Sequence, residues 1–187
     1  MKKIELPPEQ IIIPLKTSDE LEVAQPAILQ IYFRVYETGK GEILPPVVVA
    51  HKDKIDHERL LKEYTPDDQE YAERVYRKIM DAKPEYLLLD GNHRAIASTL
   101  CHIPINWMEI ETDEDVQDAK LMPYSGKLFS FPHEENTLAE ITKGFVWYAC
   151  RNIDSEGVTT VKKRVVNLSY DRQDKLPGYM KDRYINK

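Results

Sequence analysis

The chain reads as an α+β protein, a small mixed sheet with flanking helices followed by a helical C-terminal extension. Three observations predict this. Short apolar runs suited to strands, at residues 11–15, 47–50 and 87–89, alternate with amphipathic stretches at helical spacing. The resulting order is strand, helix, strand, inserted helix, strand, helix, strand, then helices, which fits a small mixed sheet. A length of 187 residues is enough to bury a sizeable core without disulfide or metal staples.

Residues 11–15 (IIIPL) form a short β-branched strand, and Pro14 places it at a sheet edge or marks its end. A polar, acidic segment at 16–23 follows and contains Asp19, Glu20 and Glu22. Pro26 then occupies a first helical position. Ile28, Ile31, Tyr32, Val35 and Tyr36 repeat at helical spacing, so an amphipathic helix runs to a stop at Gly39 and Gly41. The glycine-lysine-glycine sequence there is a turn and not a P-loop, because no Ser or Thr follows the lysine and no strand precedes it. Pro45 and Pro46 lead into Val47, Val48, Val49 and Ala50, a continuous apolar run expected of a central strand.

The charged segment 51–84 reads as an insertion carrying one peripheral helix. Thr65 is its N-cap, Pro66 its first residue, Asp67 and Asp68 lie in its first turn, and Tyr71, Val75 and Ile79 share a face. His51 and His57 are expected to be solvated there, without partners at ligand spacing.

The stretch YLLLDGNHRAIAST, residues 86–99, organises the chain. A buried strand (Leu87, Leu88, Leu89) empties through Asp90 and Gly91 into a basic tip (Asn92, His93, Arg94) that opens an alanine-rich helix. Such a strand-to-helix turn aims backbone N–H groups and a partial positive charge at one spot, which suits an anion such as a phosphate. His93 and Arg94 add side-chain donors.

Residues 105–111 are expected to form a further strand in which Ile105, Trp107 and Glu109 alternate with Asn106, Met108 and Ile110. Thr112 caps a short acidic helix through Leu121. Residues 123–132 are aromatic and loop-like. Thr137 with Glu140 makes a capping box for a helix with the stripe Leu138, Ile141, Phe145 and Tyr148, ending near Cys150. Residues 158–187 combine a basic cluster (Lys162, Lys163, Arg164) with a polar tail that carries no clear periodicity. The domain reading is 1–122 with the insertion at 51–84, then 123–187 as a helical extension and basic tail.

Charge and cysteine usage restrict the function classes. Residues 1–135 carry 16 Lys/Arg against 26 Asp/Glu, a charge of −10, whereas residues 136–187 carry 10 against 6, a charge of +4. The acidic part argues against a broad nucleic-acid face, so nucleic-acid contact is expected, if anywhere, through the basic C-terminal region. Cys101 and Cys150 form no spaced pattern, and prolines interrupt the start MKKIELPP before any leader-like apolar run, so a reducing, cytoplasmic setting with buried thiols is expected. No membrane contact is expected. His93, Cys101 and His102 lack the second ligand pair of a zinc site.

The segments IIIPL, ILPPVVVA, YLLLDGNHRAIAS and IPINWMEIETDEDVQDA together resemble the N-terminal domain of ParB and the related sulfiredoxin and free serine kinase proteins. The likeness spans residues 10 to 120, interrupted by 51–84. It implies a ParB/sulfiredoxin-like fold and nucleotide chemistry, since the family turn holds the phosphates of CTP, ATP or ADP. Carried onto this chain, Gly91, Asn92, His93 and Arg94 match the phosphate-holding turn, and Asp90 matches the acidic residue before it. Arg94 would fork onto phosphate oxygens, Asp90 would hold Mg2+ or orient His93, and Glu20 or Glu22 would act as general base toward a hydroxyl such as that of free serine. Sulfiredoxin carries a reactive cysteine where this chain has Asn92, which removes sulfinic acid reduction. The resemblance thus implies a nucleotide hydrolase or small-molecule kinase; a ParB-like DNA-binding or nuclease module and a non-catalytic nucleotide-sensing domain are the alternatives.

Overall fold

The structure is a computed structural model that describes residues 1–187 except 15–25, 63–64, 127–128, 130, 171–175 and 187. Five strands form one mixed sheet: β1 (Lys2–Ile4), β2 (Ile11–Ile12), β3 (Val47–His51), β4 (Tyr86–Asp90) and β5 (Trp107–Glu109), in the order β1-β5-β3-β4-β2. β5 runs parallel to β3 and antiparallel to β1, while β4 runs antiparallel to β3 and parallel to β2. The strand expected to begin at Ile11 does lie at an edge, confined to Ile11–Ile12. The opposite edge strand, β1, has no counterpart in the sequence reading, because a charged tripeptide at an edge needs only one apolar neighbour. The strand expected over 105–111 is confined to Trp107–Glu109, although Ile110 N still donates to Val49 O at 2.9 Å.

Helices cover both faces, which is why β3 is apolar at successive positions rather than alternately. On one face α1 (Pro26–Glu37) packs against α4 (Asn92–Cys101), joined by α7 (Val161–Tyr170) and α8 (Gly178–Ile185). Val47, Val49, Leu88 and Trp107 meet Phe33, Ile96, Leu100, Val165 and Met180 there. Two clusters occupy the other face. Ile12 and Leu87 meet α2 (His57–Lys62), α3 (Pro66–Asp81) and α6 (Leu138–Glu156), while Val48, Ala50 and Met108 meet α5 (Asp113–Leu121), Phe129, Phe131 and the start of α6. No helix among the described residues is long and apolar enough to cross a membrane.

Three local expectations are corrected by packing. α3 is capped by Thr65 as expected, yet it is not peripheral: Val75 and Ile79 are fully buried against Phe145, Val146 and Ala149 of α6. His51 and His57 are half-buried rather than fully solvated, and among the described residues neither belongs to a metal-ligand group. His51 Nδ1 accepts from Asp53 N and its ring meets Tyr86 edge-on at 5.2 Å, while His57 pairs with Glu73 and stacks on Tyr76 at 4.3 Å. In α6 the stripe holds through Phe145 but Tyr148 is 72% exposed, and the helix continues to Glu156, where Gly157 ends it. The stretch 158–187 supplies two helices to the first core, and its basic Arg164 is 0% exposed.

Candidate functional site: the turn between β4 and α4

Gly91 is the hinge of this site. Its backbone is left-handed (φ 96°, ψ 30°), and it is the N-cap of α4 with no side chain capping the helix. A Cβ at this position would stand 2.8 Å from Arg94 Nη2 and 3.1 Å from both Arg94 Nε and Val47 Cγ2. Only glycine combines this φ with so close an approach. Ala95 N donates to Gly91 O at 2.9 Å, which closes the first turn of α4. The preceding N–H groups stand at the uncapped, positive end of the helix.

The side chains of the tip cluster around that end. Arg94 is 4% exposed, and its Nη2 donates to Asp90 Oδ2 at 2.6 Å. Three further buried polar atoms have no hydrogen-bond partner within the protein: Asn92 Oδ1, His93 Nε2 and Arg94 Nε. Buried polar atoms are nearly always paired, so three orphans in consecutive residues at a helix N-terminus leave hydrogen-bonding capacity that a polar ligand or water can satisfy. Burial foremost, and then the charge of Arg94, hold the His93 imidazole below its ordinary pKa, with Asp90 opposing. At neutral pH this favours the uncharged His93 ring. Tyr36 from α1 packs near the same guanidinium: burial pushes its phenol up to about 12, and Arg94 pulls in the opposite direction.

The residues expected to act here are thus brought together in part. Asp90, Gly91, Asn92, His93 and Arg94 form one cluster. Asp19, Glu20 and Glu22 lie outside the described residues. β2 and β4 are parallel, so the chain reaches Pro14 at the sheet end that carries Asp90. Asp90 is engaged with Arg94 through one carboxylate oxygen, which leaves Oδ1 for a cation. Among the described residues no group of three His, Cys, Asp or Glu side chains is arranged to hold a metal. Mg2+ needs no such cage, since one or two carboxylates with phosphate oxygens and waters complete its shell. The described residues therefore fit a magnesium-phosphate ligand, and among them no set encloses an ion.

Sequence reasoning missed His133. It reaches the site from the loop before α6, and its Nε2 lies 3.1 Å from Leu89 O, one residue before Asp90. Its Nδ1 faces Glu135 Oε2 at 3.5 Å, and its ring packs on Phe131 with centroids 4.6 Å apart. No local pattern in the segment FPHEEN signals this, because the contact spans 44 residues. A separate concavity of about 1070 Å3 lies at the far end of α4, walled by Ile4, Leu6, Pro7, Ile103, Ile105 and the ring of Tyr184. His102, the left-handed C-cap of α4 (φ 55°), stacks on Tyr184 beside it with centroids 5.0 Å apart. Comparison with family models, with curated proteins and with solved structures returned no match.

Proposed function

We propose that the turn at 91–94 binds the phosphates of a nucleotide (ATP, ADP or CTP) together with Mg2+, in a protein of ParB/sulfiredoxin-like fold that hydrolyses the phosphate or transfers it to a small hydroxyl-bearing metabolite such as free serine. The observation that carries this reading is the coincidence of an uncapped helix N-terminus with three buried, unpartnered polar atoms on Asn92, His93 and Arg94.

Each residue has a role that its chemistry permits. Arg94, pinned by Asp90, offers its remaining guanidinium N–H groups to phosphate oxygens as a planar fork. Gly91 lets the backbone approach the anion closely. His93, neutral, holds or accepts a proton at Nε2. Asp90 Oδ1 would hold Mg2+, which supplies charge neutralisation between phosphate oxygens when bound. Glu20 or Glu22 is proposed as the base for an acceptor hydroxyl. The basic cluster gives less support to a nucleic-acid role: Arg164 is fully buried and Lys162 lies 3.6 Å from Glu9.

Calorimetry with ATP, ADP and CTP in the presence of Mg2+ tests the binding step on wild type, Asn92→Ala and Arg94→Lys. The lysine keeps the charge beside Asp90 but loses the fork, so affinity is expected to fall by about tenfold or more. Absence of binding by all three nucleotides, or equal binding by Arg94→Lys, sinks the reading. Phosphate release with and without serine then separates hydrolysis, transfer and binding without turnover.

A further inference from the structure

We infer that His133 is a positioning residue for the turn at 91–94, holding a β-bulge at Leu89 that sets the direction in which Asp90 and the start of α4 leave the sheet. The inference rests on the nucleotide-phosphate reading of that turn. β3 and β4 pair with Val48 opposite Asp90 and Val49 opposite Leu88, so Leu89 is the extra residue with no opposite number across the ladder. A bulge of this kind bends its strand, increases the local twist and re-aims the neighbouring side chains, and it leaves main-chain groups without ladder partners. Here the Leu89 carbonyl is met by His133 Nε2 at 3.1 Å. A carbonyl only accepts, so Nε2 carries the proton.

The ring is itself fixed. Phe131, 7% exposed and packed with Val48 and Met108, lies against one side of it, and Glu135 Oε2, 3.5 Å from Nδ1, can hold the ring only when Nδ1 also carries a proton. Two residues later the loop enters the capping box of α6, where Thr137 and Glu140 exchange hydrogen bonds. A histidine locked by neighbours on its far side is the supporting element that a precise binding turn requires. Through Leu89, His133 ties the 131–137 loop and α6 to the phosphate turn while touching no ligand itself.

The test compares His133→Leu, which removes the donor, with His133→Gln, whose amide N–H can replace Nε2–H at Leu89 O. Amide hydrogen exchange is read at residues 90–95, and Mg·ATP and Mg·CTP affinity by calorimetry. We expect the leucine variant to exchange about three- to tenfold faster at 90–95 and to weaken nucleotide binding by a similar factor, as befits loss of one hydrogen bond, with the glutamine variant restoring both. Unchanged exchange in His133→Leu, or a glutamine variant as impaired as the leucine one, overturns the inference. Should His133→Leu not fold, the ring nitrogens of the wild-type protein decide by 15N NMR: a proton on Nε2 is expected, and a neutral ring protonated only at Nδ1 overturns it. If wild type binds neither nucleotide, the phosphate reading fails by itself, while exchange and tautomer still report on the turn.

Discussion

Asp90 and Arg94 stand one helical turn apart with Gly91 between them, and Arg94 Nη2 donates to Asp90 Oδ2 at 2.6 Å while Nε of the same buried guanidinium has no partner. A guanidinium has five N–H donors in a fixed fork, so this pairing uses part of what Arg94 offers. The pair holds the fork in place and leaves it unfinished. A second acceptor with several oxygens would complete it.

The close approach across Gly91 makes that residue the most sensitive point of the turn. Gly91→Ala places a methyl group in a left-handed backbone and 2.8 Å from Arg94 Nη2. The expected cost is about 1–2 kcal/mol of stability, read as a thermal midpoint lowered by several degrees, with nucleotide binding lost as Arg94 is displaced. An alanine variant with wild-type midpoint and wild-type affinity would show that the turn is not tight.

His93 makes stability depend on mild acid. Its folded-state pKa lies below the ordinary 6.5, from burial first and Arg94 second. As pH falls below about 6.5, the unfolded chain takes up a proton that the folded ring resists, so the stability contributed by the neutral ring is full above that value and is lost toward the folded pKa. Denaturant titrations of wild type and His93→Gln are expected to diverge in this window, with the glutamine variant flatter. Identical pH slopes for the two would refute the assignment. A bound phosphate would draw the ring pKa upward, so nucleotide binding near pH 6 is expected to take up protons, seen as a buffer-dependent heat.

Glu109 has the opposite sign. The residue is 5% exposed, and burial, followed by the charge of Glu111, raises its pKa above the ordinary 4.5 against the pull of Lys2, His51 and Lys54. Between 4.5 and the raised value the unfolded chain has already lost the proton that the folded chain keeps, so stability falls as pH rises through that window. Glu109→Gln is therefore expected to raise the thermal midpoint at neutral pH and to change little at pH values below about 4. A lower midpoint at neutral pH would mean that the carboxylate makes a stabilising contact.

The two cysteines are expected to be chemically silent. Burial, reinforced by the charges of Asp154 and Asp68, pushes the Cys150 thiol up to about 11, and Cys101 is fully buried with Sγ donating to Phe33 O at 3.6 Å. At pH 8 a thiol-specific reagent should find no rapidly reacting group in the native protein and both groups after denaturation. Rapid native labelling of either would contradict this burial.

Much of this architecture is legible in the chain itself. The N-caps Thr65, Thr112 and Thr137 stand where the capping patterns place them, since a cap is a contact between residues two or three apart and carries its own signature. Val47 to Ala50 announce a strand covered on both sides by being apolar at successive positions, and the glycine at 91 announces a left-handed turn before a helix. These are local rules, and local rules survive folding.

Features that depend on partners far away in the chain appear only on folding. The charged strand Lys2–Ile4 exists because Trp107, Met108 and Glu109 pair with it, and α3 becomes a core helix because α6 supplies a second apolar face. The basic stretch at 162–164 contains a fully buried arginine because α7 turns that position inward. His133 is the clearest case: nothing near it in sequence resembles a site, and it reaches Leu89 only because the loop before α6 is pinned between Phe131 and Glu140. The turn from strand through glycine to helix is written in consecutive residues, so the chain alone specifies it. The support beneath that turn joins distant segments, and only their packing into one structure brought it into being.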